Sequence, residues 1–573
     1  MKRVLIVLLL LCIPFISFSA EAESMSSNDW MEIDQLVNKN IIRYKIPGMS
    51  AILIDMKSQN TSFYGKDAYG KNIDSTTKFE LGALSESFVA TGIFLLEEAG
   101  MLSLDDPINK YIPWFTTYYK GEYDQRDYDG EVQLTIAHCL YHTSGLPAYL
   151  PTATNREDIG VIEKTFKNAA LSISGVVLRH YPGSYRDTSQ VDYILLGIVI
   201  DAVYNTGYES FMVNNVFSPL GLSNTRVSGS EVNQHPVGYR LEYFKPKPLT
   251  GYPTEVVSTG NSIYTTAADM ERWISMLIGN TIIPSELQNA IRKTFNWDVS
   301  AEPLYSAGWV RSGNTMGYRQ DGSGMGFSTS LLLNKEESFG ICILANMNSN
   351  IPSYIINSII NLRNGKSTER YKENSDNKSN YIFTIVAIAS GVGIILYLIL
   401  LIKALTELHN KKRTSNHALT KKHRFTCILT ACILLIFILG IYYSNRLLFE
   451  SRSWKLILAL ESPSIAQGAV MSLLFAFVFF AYYILVFTRP LENEINYFLL
   501  VPMSVLCSIS NFMMIYTINE SLSKQLKYNN AYFLFFVLFL LLSVISTKLL
   551  QGMLIHIMNE LMYQKRLKLI IFY

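Results

Sequence analysis

Residues 80–92 read ELGALSESFVATG. A strand-like approach ends at Gly82, and from Ala83 the pattern turns helical and runs on through GIFLLEEAG. One helical turn stacks residues i and i+3 on the same face, which brings Ala83 and Glu86 together. Successive residues turn by about 100 degrees, so Ser85 and Ser87 point away from that face and read as polar residues of the first turn. The chemistry of this helix start therefore depends on Ala83, on Glu86, and on what the rest of the chain brings to them.

At 573 residues the chain exceeds one ordinary core, and its two parts differ in kind. Residues 25–370 mix charges, turn residues and alternating periodicities, as a water-exposed globular protein does. Residues 381–573 are dominated by runs of Leu, Ile, Phe, Val and Tyr. A formal charge of +2 is close to balance and gives no case for nucleic acid.

The N-terminus has a basic start at Lys2 and Arg3, an apolar stretch from Val4 to Phe18, and a small-x-small pattern at Ala20-Glu21-Ala22. That order predicts a secretory signal peptide over 1–22, since the apolar run is short for a membrane span. In the exported part, Cys139 and Cys342 read as two small buried hydrophobes, because nothing in their spacing demands a bridge.

Apolar runs near 381–402, 425–443, 465–487, 497–518 and 532–545 predict about five membrane-spanning helices, each needing roughly 20 residues. The loop between the first two carries Lys403, Lys411, Lys412, Arg413, Lys421, Lys422 and Arg424 against the single acid Glu407, which marks the cytoplasmic side. A cleaved signal puts 25–362 outside, the first span runs inward, and the loop over 403–424 lands inside. Five spans also return the tail, with Lys565, Arg566 and Lys568, to the cytoplasm. The spans hold almost no ionisable residues at mid-depth, which favours an anchor or partner-binding bundle over a transport pathway. Residues 363–380 read as a polar tether.

Within 25–362 the landmarks form an ordered series: a buried strand in IPGMSAILI, then YHTSGLP at Tyr141–Pro147, PGSYRDTSQVDYILLG, SPLGLSNT at Ser218–Thr225, AGWVR, and a closing strand pair that ends LANMNSN at Leu344–Asn350. The helix and strand signals predict an α/β (α+β) domain with a late antiparallel sheet. The series resembles the serine β-lactamase and DD-peptidase superfamily, in its class C β-lactamase-like branch. It is most similar there to the membrane-anchored D-amino-acid peptidases that mature peptide prodrugs, of the colibactin-activating kind, although those carry three spans. The resemblance implies a helical subdomain beside an α/β subdomain with a cleft between them, no cofactor and no metal.

It also implies where the chemistry should stand. Such a helix begins with a serine nucleophile and places a lysine three residues later; here those positions hold Ala83 and Glu86. The tyrosine of the second element falls on Thr188, followed by Ser189 and Gln190. The third element, on the sheet edge facing the cleft, falls at Gln320-Asp321-Gly322. All three depart from the family pattern at once, so the resemblance gives a ligand cleft over Ala83, Glu86, Thr188, Ser189, Gln190, Gln320, Asp321 and Gly322 without an intact catalytic set.

Rival constellations are weaker. The S-x-x-K strings at Ser75–Lys78, Ser375–Lys378 and Ser521–Lys524 do not begin the cleft helix. Glu86 with Asp187 or Asp321 would make a carboxylate pair for acid/base work. His138 and His142 have i,i+4 spacing, but without His-Glu-x-x-His they read as structural rather than metal-binding. Three readings follow: a membrane-anchored pseudoenzyme holding a peptide or cell-wall-like ligand or a protein partner, a hydrolase with a non-standard site, and an assembly protein working through its membrane bundle.

Overall fold

The computed structural model describes residues 27–147, 174–227, 236–249, 263–296, 305–367 and 371–414, with short breaks, and isolated positions between 464 and 490. The signal segment and the spans expected near 425–443, 497–518 and 532–545 lie outside the described residues, and 465–487 is described only in part. The chain divides into two units: Met1–Ala148, Glu163–Gly238 and Thr250–Tyr371 form one, and Tyr149–Ile162, Tyr239–Leu249 and Lys372–Tyr573 the other.

The first unit is built on a seven-stranded antiparallel sheet. Its order is β11 (Tyr305–Ser306), β12 (Trp309–Ser312), β13 (Gly317–Gly324), β14 (Phe327–Asn334), β15 (Phe339–Ala345), β1 (Gly48–Ile54) and β2 (Gln59–Gly65). Every residue of β1, β14 and β15 is buried. β1 and β15 therefore read as nearly continuous apolar runs, because both faces of the sheet are covered, while β14 buries Ser328, Thr329 and Ser330 beside its leucines. Helix α5 (Ala267–Leu277) packs on the face that carries Gln320 and Gly340, where Ile274 fills the space beside Gly340. Helix α7 (Ile351–Arg363) covers the other face, where Ser353 and Asn357 hold Arg319.

Helix α1 (Ser27–Tyr44) precedes β1, and Tyr64 of β2 donates a 2.5 Å hydrogen bond to its Asp34. Two small sheets complete the unit: β3 (Lys78–Glu80), β10 (Ile263–Thr266) and β7 (Arg226–Val227) in one, and β5 (Arg126–Val132), β4 (Thr117–Tyr123) and β6 (Val176–Val177) in the other. The unit's further helices are α2 (Glu86–Glu98), α3 (Ile136–Leu140), α4 (Gln190–Val203) and α6 (Ser285–Thr294).

The specific sequence motifs turn out to be polar stitches between distant segments. Asn346, inside LANMNSN, accepts from the Gly48 amide at 2.7 Å and donates to the Lys66 carbonyl at 2.9 Å, fastening β1 and β2 to the end of β15. Thr225 and the Asn224 amide, ending SPLGLSNT, both donate to the buried Asp269 carboxylate of α5 at 2.7 and 2.8 Å. A buried carboxylate is tolerated only when its lone pairs are filled, so the motif and its partner act as one unit. Cys139 and Cys342 are buried and unbridged.

The second unit is described mainly by a hairpin of β8 (Tyr239–Glu242) and β9 (Lys245–Pro248) and by helix α8 (Ser375–His409). The helix begins inside the stretch expected to be a tether. Residues Asn380–His409 are long and apolar enough to cross a membrane, the one such helix among the described residues.

Candidate ligand site

The quoted stretch folds as a 3-10 turn over Gly82–Ser85 that leads into α2. Gly82 takes φ +57, and a Cβ there would lie 2.5 Å from the Ser323 carbonyl oxygen. A Cβ on Gly322 would lie 1.9 Å from the Leu81 carbonyl oxygen. The turn is thus pressed against β13 at a distance that only glycine allows on both sides. That approach sets Ala83 and Glu86 against Gln320, which donates to the Ala83 carbonyl at 3.1 Å and to Glu86 Oε2 at 2.9 Å.

Ala83 is the half-buried residue of the turn, while Gly82, Leu84 and Ser85 are buried. Its methyl group offers no nucleophile. The two neighbouring hydroxyls are committed elsewhere: Ser85 accepts from the Ile263 amide at 3.2 Å, and Ser87 donates to the Leu84 carbonyl at 2.9 Å.

Glu86 is 1% exposed, yet its carboxylate is well provided with partners. Besides Gln320, Tyr305 donates to Glu86 Oε2 at 3.1 Å, and the Tyr305 hydroxyl itself accepts from the Gly308 amide and lies 3.0 Å from the Tyr193 hydroxyl. His142 Nε2 faces the same carboxylate oxygen at 3.6 Å, and His142 Nδ1 lies 2.7 Å from Asp192 Oδ2. The other oxygen of Asp192 accepts from Ser144 at 2.5 Å. His142 holds φ 57, a left-handed backbone that histidine adopts more readily than most side chains. The result is a buried row, Asp192–His142–Glu86–Gln320, drawn from α4, the loop after α3, α2 and β13.

Burial alone pulls the His142 pKa down, but the Glu86 and Asp192 carboxylates outweigh it and push it up to about 10. Burial raises Asp192 against the opposing pull of His142. Asp192 is bonded to Nδ1, while the Glu86 carboxylate lies 3.6 Å from Nε2, which makes no hydrogen bond of its own among the described residues; the two acids together favour the protonated ring. Burial, followed by the Glu86 charge, lifts the Tyr193 and Tyr305 hydroxyls well above their ordinary value, so both stay protonated as donors.

The remaining expected positions divide. Gln320 and Gly322 meet the turn. Asp321 does not: the strand alternates, and its carboxylate binds Arg319 at 3.0 Å and Ser330 on the opposite face. Asp187 pairs with Arg179 at 2.6 Å, so neither Asp187 nor Asp321 joins Glu86 in a carboxylate pair. Thr188 and Gln190 are exposed, and Ser189 is buried as the cap of α4, accepting from the Val191 amide and donating to the Pro147 carbonyl. His138 and His142 diverge, since His138 Nδ1 accepts from the Thr135 amide at the start of α3. No group of three potential ligands suits a metal among the described residues. Of the S-x-x-K strings, Ser75 lies in the turn before β3, and Lys78 spends its ammonium over the Tyr264 ring.

The Beta-lactamase family profile matches residues 33–360. The chain belongs to the Beta-lactamase family. Its serine β-lactamase/DD-peptidase-like α/β fold is the one the ordered motifs implied. Protein flp of Staphylococcus aureus (strain MRSA252) is 25% identical over 448 residues, covering 76% of this chain and 86% of that protein. Penicillin-binding protein 4* of Bacillus subtilis (strain 168) is 26% identical over 216 residues, covering 35% of this chain and 42% of that protein. Among solved structures, a class C β-lactamase covers 60% of this chain and 98% of its own, at 21% identity and a TM-score of 0.49. The share of this chain aligned with Protein flp is larger than the Beta-lactamase segment, so that likeness continues past residue 360.

Proposed function

We propose that this Beta-lactamase-family chain is a membrane-anchored, extracytoplasmic pseudoenzyme that holds a peptide or cell-wall-like ligand, or a protein partner, in the cleft beside Ala83. One observation carries the reading. At the position the family resemblance gives to the base lysine stands the Glu86 carboxylate, whose Oε2 accepts from Gln320 and Tyr305 and faces the His142 ring at 3.6 Å, one turn after a methyl group that cannot attack. An acyl-transfer site needs a nucleophile and a base within hydrogen-bond reach of each other. Here the space of the base is taken by an acid beside a histidine, and loss of the nucleophile or of the base alone already disables sites of this type. The ligand class, D-amino-acid-containing or wall-derived peptides, comes from the prodrug-peptidase resemblance.

Anchoring draws on the apolar helix Asn380–His409 and on its company within the second unit. Asn380 meets Ser464, Ser390 meets Ser472 at 3.4 Å, and the Tyr397 and Phe475 rings lie 5.8 Å apart, so the two segments run parallel. Two parallel spans need a return crossing between them, and the apolar run near 425–443 is the sequence available for it. Small and polar side chains at the contact suit helix pairing in lipid.

The test is covalent labelling of the full-length protein with a fluorescent penicillin and a fluorophosphonate, read by intact mass. The triple variant Ala83→Ser, Glu86→Lys, Thr188→Tyr runs in parallel. No adduct on the native chain, together with ligand-dependent thermal stabilisation by D-alanyl peptides, is the expected result. An adduct on the native chain overturns the reading, and the modified residue then names a displaced nucleophile.

A further inference from the structure

Strand β5 (Arg126–Val132) is an outer strand of its three-stranded sheet, with β4 on one side and, among the described residues, no strand paired on the other. The edge is straight: β4 and β5 pair without a bulge from Thr117↔Val132 to Tyr123↔Arg126. Along it, Asp127, Asp129 and Glu131 alternate on one face, all exposed, and Glu122 of β4 shares that face. Lys120 is committed to Asp129 at 2.5 Å.

The opposite face is fixed from beneath. Tyr181 stacks on Tyr123 at 3.9 Å between ring centroids and meets Tyr119 and Tyr128 edge-on at 5.6 and 5.5 Å. Tyr119 and Tyr128 anchor their hydroxyls on the carbonyls of Glu122 and Glu131. The ribbon is therefore rigid and offers its edge preformed.

An open, regular edge is a template for one more strand, and proteins usually blunt such edges with lysine, proline or a bulge. This edge carries carboxylates instead. A second copy pairing edge to edge would set acid opposite acid, which is unfavourable, whereas a strand with lysine or arginine at alternate positions meets Asp127 and Glu131, with Asp129 between them shared with Lys120. We propose that the β5 edge is a docking site for an extended basic peptide segment, added as a fourth strand. The inference stands apart from the cleft and holds whether or not the cleft is catalytic.

The test uses the full-length protein in nanodiscs of phosphatidylcholine, a lipid without net charge, with empty nanodiscs as the blank, and the labelled heptapeptide amide Thr-Lys-Thr-Lys-Thr-Lys-Thr. Two comparison peptides run beside it: one with glutamate in place of lysine, and one methylated on alternate backbone nitrogens. The protein variant is Asp127→Asn, Asp129→Asn, Glu131→Gln, whose side chains are exposed and whose melting temperature reports folding. The lysine peptide is expected to bind, with at least tenfold weakening in the variant and on methylation, and no binding by the glutamate peptide. Binding that survives methylation overturns strand addition, binding that survives charge removal overturns the basic class, and no binding at millimolar peptide overturns both.

Discussion

Buried between two carboxylates, the His142 ring is favoured in its charged form, with a proton on each nitrogen, and its backbone at this position is left-handed. Such a triad is an intolerant part of a core: deleting one partner leaves uncompensated charge, at a cost of about 3–5 kcal/mol. His142→Ala should therefore lower the unfolding free energy by about that amount in denaturant titration. The pH dependence has a definite sign. The folded pKa of about 10 lies above the ordinary 6.5, so the contribution is complete below about 6.5 and is lost as pH rises through about 10. Thermal midpoints of the native protein should fall across that window, and those of His142→Ala should be flatter. A native curve as flat as the variant's would remove the charge from His142.

Glycines, more than any long side chain, set the geometry between elements here. The turn at Gly82 and strand β13 touch through Gly322, where a methyl group would overlap the Leu81 carbonyl. Gly322→Ala should therefore cost roughly 1–3 kcal/mol through forced backbone strain, measurable as a lowered urea midpoint with an unchanged slope. A neutral substitution would show that the turn is free to move off the strand. At this scale the sequence was informative in proportion to how local each signal is. The helix after Gly82, the buried strand at 48–54 and the framework motifs are short-range patterns, and they were legible. Gln320 and Gly322 were placed beside Ala83 through the family pattern, while Asp321 was misjudged because adjacent strand residues face opposite ways. Asp192, Ser144, Tyr193 and Tyr305 were missed. Ser144 meets Asp192 across 48 residues, Asp192 meets His142 across 50, Tyr193 meets Tyr305 across 112 and Tyr305 meets Glu86 across 219, distances no periodicity encodes. The one available hint was an aspartate inside the otherwise apolar helix pattern VDYILLGIVI, where burial demands a partner.

For the whole molecule, the proposed topology puts residues 25–362 and the basic loop over 403–424 on opposite sides of the membrane. Single cysteines introduced at exposed Asp124 and at Ser415, in a background lacking the six native cysteines, test it in intact cells. A membrane-impermeant maleimide should label position 124 at once and position 415 only after permeabilisation. Equal labelling of both would overturn the orientation. The pairing of β1 with β15 has a further consequence, for the order of events during synthesis. β1 finds its inner neighbour only when the chain has grown 298 residues past Gly48, to the asparagine whose side chain receives that amide. Until then the first hairpin waits as a half-paired ribbon, its β1 strand, buried throughout in the finished fold, still uncovered, and contacts this distant in sequence close slowly. The domain's most vulnerable moment thus falls before β15 has been made, and any factor that shields nascent strands would have its target in residues 48–54.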